Sequence, residues 1–175
     1  AATSGGLFRW EVATGTYTQF TNAEGLRNID LTSVSVDRSG DIWTGTSTGI
    51  IHVSTPATGT LRTIPDIASY PGQTNKRINA ITAEGDTILI ASDFGLSVYR
   101  LARMEFGDTF TKFGGIPANV RVAVYASAIT GGRIWAAISD GIATHRVAWA
   151  SLAAPNLLDP QAWTLQTVGG PGAEP

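Results

Sequence analysis

Residues 35–53, SVDRSGDIWTGTSTGIIHV, read as part of a small sheet that cannot cover its own faces. An alternating run ends at the DRSGD turn. An apolar stretch centred on Trp43 follows, TSTG makes a second turn, and IIHV begins another strand. Alternation at period two with β-branched and aromatic residues marks half-buried strands, and Gly/Asp/Ser clusters mark the turns between them. The partner for these faces lies in the same chain. Segments 31–53 (LTSVSVDRSGDIWTGTSTGIIHV), 78–99 (INAITAEGDTILIASDFGLSVY) and 123–145 (AVYASAITGGRIWAAISDGIATH) repeat one order of run, turn, run, turn, run.

The central bulky residues Trp43, Leu89 and Trp135 stand 46 residues apart, as do the turn glycines Gly49, Gly95 and Gly141. SGGLFRW, at residues 4–10, matches the same turn with Gly6. Fourth strands follow at TYTQF (16–20), GTLRTI (59–64), DTFTKF (108–113) and AWTLQTV (162–168). Four strands per unit at a period in the forties is the pattern of a β-propeller blade, in which each blade covers its neighbour's apolar face. The expected fold is all-β: a single partial β-propeller over 1–175 with about three and a half four-stranded blades. It divides into a blade remnant at 3–24 beginning at a third strand, blades at 27–70, 76–117 and 120–168, and a flexible tail at 169–175. Trp43, Leu89 and Trp135 are expected to anchor blade to blade, and Gly49, Gly95 and Gly141 to supply positive φ in hairpin turns. RVAWASLAAPNLLD (146–159) reads as a long connection broken by Pro155, with room for a helical turn; it is the second candidate contact region, and its Trp149 is expected to cap the outer edge of its blade, the alternative being a partner contact. An open arc leaves an apolar face at each end. The chain is therefore expected to be a fragment, or to meet missing blades or a second copy that closes a ring of about seven.

Composition excludes several classes. The 175 residues are 43% hydrophobic and 15% charged, a globular rather than a disordered balance. A net charge of −2 argues against a general nucleic-acid or anionic-membrane binder, which needs a basic surface. There is no cysteine, so disulfides and cysteine metal sites are excluded. No apolar run reaches the roughly 18 residues of a membrane span, and no signal peptide is visible. The chain opens AATSGG without an initiator methionine, which reads as a processed or cut product.

The repeats also resemble a known family. FTNAEGLRNIDLTSVSVDRSGDIWTGTSTGIIHV (20–53) resembles the two-component-regulator propeller repeat, with its GL turn, alternating inner strand and DxxGxIWxGTxxGI core. Residues 60–113 are closer to the N-terminal propeller of PorZ-type proteins of the type IX secretion system, through an IPDI strand (64–67), KRINAI (76–81), FGLSVY (94–99) and DTF (108–110). LAAPNLLDPQAWT (152–164) is similar to a blade connection of that family. The resemblance implies a bacterial extracellular or outer-membrane-associated protein. PorZ-type members work in a cell-surface complex that handles secreted cargo and its lipopolysaccharide anchoring.

Candidate chemistry is sparse. Asp37, Ser39 and Asp41 alternate as in a calcium loop, but the remaining oxygen ligands and the distal acid are missing, so an Asx-type turn is expected. His52 and His145 fall on third strands at non-equivalent places, without the clustering that a metal or a nucleophile motif needs. Glu84 and Asp86 sit in a hairpin turn and are expected to face water. The glycines are spaced for hairpins, not for phosphate. The charges just before the inner strands matter more: Asp30, Arg77 and Arg121, joined by Lys76 and Asn79. Inner strands line a propeller's central channel, so these residues form a candidate binding site at one channel mouth. The expectation is a non-catalytic binding and assembly module of a bacterial cell-surface protein, periplasmic placement included, with no cofactor and no metal. Other proteins or a cell-surface glycan are the expected partners. The alternative is the extracytoplasmic sensor propeller of a hybrid two-component system, binding an oligosaccharide or peptide. An extracellular hydrolase or lyase would need an acid, base or metal cluster that the inner strands scarcely offer.

Overall fold

A computed structural model describes residues 1–141 and 145–167. The proposed tail at 169–175 lies outside the described residues. Among the described residues, fifteen strands form four antiparallel sheets, each meandering in chain order. The first sheet holds β1 (Ala2–Thr3), β2 (Gly6–Glu11) and β3 (Thr16–Phe20). The next comprises β4 (Leu31–Val36), β5 (Ile42–Thr46), β6 (Ile51–Thr55) and β7 (Thr60–Ile64), followed by the one-turn helix α1 (Asp66–Ser69). Then come β8 (Ile78–Glu84), β9 (Thr87–Ser92), β10 (Gly95–Arg100) and β11 (Glu105–Phe110). The last sheet holds β12 (Ala123–Thr130), β13 (Arg133–Ser139), β14 (His145–Ser151) and β15 (Thr164–Thr167). This is the expected partial propeller. The inner strands begin at Leu31, Ile78 and Ala123, where the alternation in the sequence starts.

Four details differ from the sequence reading. The first sheet starts one strand earlier, with Ala2 opposite Leu7 and Thr3 opposite Gly6. Two residues are too few for period-two alternation to register. The IPDI stretch is not a strand throughout: β7 ends at Ile64, and Pro65 sits at the N-cap of α1. A proline has no N–H to give a ladder and suits the first positions of a helix. Residues 146–151 belong to the third strand β14, not to a connection; Trp149 stands opposite Trp135 across the ladder, so it does not cap the outer edge. The turn before β14 is longer than its counterparts, which displaced that strand from the repeat. The helical turn of the connection that follows lies at Pro160–Ala162.

Two apolar layers hold the blades together. Trp43, Ile51 and Val53 of the second sheet pack on Ile88, Ile90 and Tyr99 of the third. Leu89, Leu96 and Val98 of the third pack on Ile134, Ala136 and Ala148 of the fourth. Trp43 is 0% exposed and meets Tyr99 edge-on at 5.0 Å. Leu89 is likewise buried. Trp135 takes the same ladder position, opposite Ala128 as Trp43 is opposite Ser35, yet it is not buried and anchors no blade among the described residues. The reason is its direction: it points forward from the last sheet, beyond which no described sheet stands.

A smaller cluster of Leu7, Leu26 and Leu31 joins the first sheet to the second. Side chains also tie inner strands together. Thr32 Oγ1 donates to Ile78 O, and Asn79 Nδ2 donates to Val124 O at 2.9 Å, one blade further on. Gly49, Gly95 and Gly141 all have positive φ, as expected. Gly95 carries the strongest requirement: at φ +150° a Cβ would stand 2.3 Å from Phe110 O.

Candidate functional site

The inner strands start at the end of the sheets where the second strand turns into the third. Ser47 N donates to Asp30 O at 3.2 Å, and Asp93 N donates to Arg77 O at 3.0 Å. Each bond clamps the entry of an inner strand to the neighbouring turn. Asp30 and Arg77 are thus true counterparts in successive blades. Arg121 is not: Ala123 pairs with Ser139 at that level, and Arg121 stands two residues earlier, exposed.

Between the second and third sheets, at this end, lies an open polar groove of about 520 Å³. Ser47 and Thr48 form one wall; Lys76, Arg77 and Asp93 face them. Thr74 and Asn75 add further polar groups. The structure therefore brings Lys76 and Arg77 together and places Asn79 just behind, donating to Asp93 Oδ1 at 3.0 Å. Asp30 reaches the groove only through its backbone contact to Ser47. Arg121 does not line it.

The roles of these residues differ. Lys76 Nζ donates to Ala68 O and Tyr70 O, both at 2.6 Å, so its ammonium ties down the end of α1. Carbonyls at a helix end lack intrahelical partners, and a cation there is favourable. Asn79 is likewise committed to bridging two blades. Arg77 is exposed and has no ion-pair partner among the described residues, so its guanidinium is the charged group at the groove that is left open to solvent. Hydroxyls, an amide, a guanidinium and a carboxylate then converge on an open surface. Such an array exchanges hydrogen bonds with a polar ligand and offers little to an apolar one.

Asp93, Ser47 and Thr48 were missed in the sequence. Their signal was there: polar residues lie just ahead of Gly49 and Gly95 in corresponding turns, TSTG and SDFG.

The other candidates serve structure. Asp37 is buried; its carboxylate accepts from Ser39 N at 2.8 Å, Asp41 N at 3.1 Å and Trp43 Nε1 at 2.9 Å. The expected Asx turn is present, and it also anchors the buried indole. Asp86 does not simply face water, because it pairs with Arg38 in the turn of the preceding sheet. His52 is 1% exposed, with Nδ1 3.3 Å from Thr63 Oγ1. Burial holds its imidazole below the ordinary value of 6.5; the nearby Asn28 backbone opposes this and the Arg27 charge adds to it. His145 begins β14, so the expectation that both histidines lie on third strands holds. Among the described residues, no group of three His, Cys, Asp or Glu side chains could hold a metal ion. No described helix is long and apolar enough to cross a membrane.

Blades, inter-blade layers and a polar groove at the channel end define a β-propeller domain. A family model for the N-terminal β-propeller domain of PorZ, of the type IX secretion system, matches residues 1–164. The chain belongs to that family. Among solved structures it is similar to PorZ of Porphyromonas gingivalis, described as an essential bacterial surface component of the type IX secretion system. The TM-score is 0.73 and the identity 21%, over 93% of this chain and 20% of that one. It is also similar to the extracellular domain of a putative one-component system from B. thetaiotaomicron (TM-score 0.69, 18% identity, 94% and 20% covered). The extracellular domain of a putative hybrid two-component system from the same organism matches as well (TM-score 0.68, 20% identity, 95% and 21% covered). The chain spans about a fifth of the length of these proteins. No curated protein matches it by sequence.

Proposed function

We propose that the chain is a non-catalytic binding and assembly module of a bacterial cell-surface protein, linked to type IX secretion and placed outside the inner membrane. The groove between Ser47–Thr48 and Lys76–Arg77–Asp93 holds its partner, a cell-surface glycan or a segment of another protein. The observation that carries this reading is the convergence of exposed hydrogen-bonding groups on one channel end, with Arg77 free to engage a ligand. No histidine lines the groove, and its one lining carboxylate, Asp93, is engaged by Asn79, so it lacks an acid–base couple. Family membership supports the link to secretion. The alternative, a sensor propeller binding an oligosaccharide or peptide, is supported by the two extracellular sensor domains among the structural matches.

The test is a glycan array and a panel of secreted-protein segments, followed by calorimetric titration of the best binder. Arg77→Ala removes one charged hydrogen-bonding group and is expected to weaken binding about tenfold or more. Asp86→Ala, in the β8–β9 turn, should leave binding unchanged. Undiminished binding by Arg77→Ala would move the site elsewhere. Multiple turnover of a glycan, abolished by Asp93→Asn, would make the protein an enzyme.

A further inference from the structure

Two internal junctions between blades differ at the outer rim. Ile64 of β7 and Phe110 of β11 hold the same ladder place, opposite Ile51 and Leu96. Beyond them, in step along the chain, Ile67 corresponds to Phe113, Tyr70 to Ile116 and Pro71 to Pro117. Between the third and fourth sheets this rim is covered. Phe113 is 0% exposed, with the Trp163 ring edge-on and 4.8 Å away. Leu157 and Ala162 pack against the same cluster, and Gly114 N donates to Pro160 O at 2.9 Å. The cover is the long connection from β14 to β15.

Between the second and third sheets the same rim stays open. Ile67, Tyr70 and Pro71 face Phe106, Gly107 and Thr109 of β11 across a lobe of about 440 Å³. A second lobe of about 490 Å³ carries the groove on to Arg62, Met104 and Glu105, and the two share Pro65, Asp66 and Phe106. The groove follows β11, an edge strand of six residues or roughly 20 Å. Both walls come from residues 62–109, so its shape depends on no sheet before the first or after the fourth. The hairpin loop at its end departs from its counterparts. VATG (12–15), PATG (56–59) and LARM (101–104) each end on a left-handed residue: Gly15 at φ 65°, Gly59 at 71° and Met104 at 55°. A side chain in that conformation carries a cost that glycine avoids. Such cost gathers at ligand clamps, and Met104 is 61% exposed where it lines the second lobe.

We propose that this rim groove docks an extended peptide segment of another protein, with apolar and proline residues in the first lobe and a lysine or arginine beside Asp66. Length selects an extended chain, since the groove runs along a whole strand. The apolar part follows from the next junction, where a proline-bearing stretch with Leu157 covers the corresponding residues from within the chain. The four-residue loop LARM is too short to do the same here. Charge complementarity selects the basic residue. Glu105 pairs with Arg103 at 3.4 Å, whereas Asp66, at the waist shared by both lobes, is exposed and has no ion-pair partner among the described residues. Met104 then closes over the segment, a flexible thioether suited to varied apolar contacts.

The test is a displayed library of random peptides panned on the 175-residue chain, with the best binder synthesised and titrated by fluorescence anisotropy. The expected result is enrichment of sequences that combine proline, a bulky apolar residue and Lys or Arg. Three variants then read the site, all at exposed positions, with urea midpoints to show that each folds. Ser69→Trp fills the first lobe and should weaken binding about tenfold or more. Asp66→Lys should weaken it about fivefold or more and, when panned itself, select acidic sequences instead. Met104→Gly should weaken it about two- to tenfold while leaving the urea midpoint unchanged or raised, a split that a purely structural role would not produce. A library that yields no enrichment overturns the proposal. So do binders indifferent to Ser69→Trp, which sit elsewhere, and binders that lack a basic residue or ignore Asp66→Lys. Arg77→Ala, in the polar groove at the channel end, should leave this binding unchanged, so failure of either site is seen separately.

Discussion

Replacing Asp37 should cost more than its place in an exposed turn suggests. Its carboxylate accepts from two turn amides and from the buried indole Nε1 of Trp43. In Asp37→Ala, water reaches the Ser39 and Asp41 amides, because that turn lies at the surface. The indole N–H has no such recourse, since Trp43 is 0% exposed beneath the next blade. An orphaned buried donor costs about 1–3 kcal/mol, and a hydrogen bond to a charged group contributes about 1.5–3 kcal/mol. The expected loss is therefore about 2–4 kcal/mol. Asp37→Asn keeps one acceptor for the turn but turns an amide donor towards Nε1, so it should lose nearly as much. Urea denaturation read by fluorescence and circular dichroism gives the midpoints, with coincident curves as the check on two-state unfolding. A double-mutant cycle of Asp37→Asn with Trp43→Phe isolates the indole bond and should show coupling of about 1–3 kcal/mol. A loss under about 0.5 kcal/mol for Asp37→Ala, or no coupling, would refute the reasoning.

Two further predictions concern the same denaturation assay. His52 is kept neutral by burial, so near and below pH 6.5 the unfolded chain takes up a proton that the folded chain refuses. Its contribution is complete above 6.5 and is lost as pH falls towards the lowered folded-state value, at up to about 1.4 kcal/mol per pH unit. Comparison with His52→Gln between pH 5 and 7 should show the slope flattened; equal slopes would remove His52 from the account. Gly95→Ala places a Cβ 2.3 Å from Phe110 O at φ +150°, whereas Gly59→Ala at φ +71° meets open space. The first should exceed the second, which carries only a backbone cost of about 1–3 kcal/mol; equal losses would mean the close approach to β11 is unimportant.

Much of the architecture was legible because a propeller writes its repeat into the chain. The 46-residue spacing of Trp43, Leu89 and Trp135 tracks one ladder position through three sheets, and the inner strands begin where alternation begins. The spacing of the glycines agreed for a weaker reason. From the shared end of the second strand, the chain re-enters the third at Ile51, Leu96 and Val147, after turns of three different lengths. A matched glycine therefore does not fix where the next strand starts, and β14 was concealed inside an apparent connection.

The candidate site divides along similar lines. The sequence by itself placed Asp30, Arg77 and the inner-strand entries at one end, because that follows from strand order and direction alone. It could not tell that Lys76 is bound to the end of α1, that Asn79 serves Val124 and Asp93, or that Arg121 misses the groove. Those outcomes depend on distances between residues of different blades, and no local pattern encodes them. Trp135 shows the same division. Its ladder position is set by the repeat, while its exposure is decided by whether a sheet stands in front of it. Blade identity is a local property of alternation and turns; burial, pairing and ligand access belong to the packing of one blade on the next.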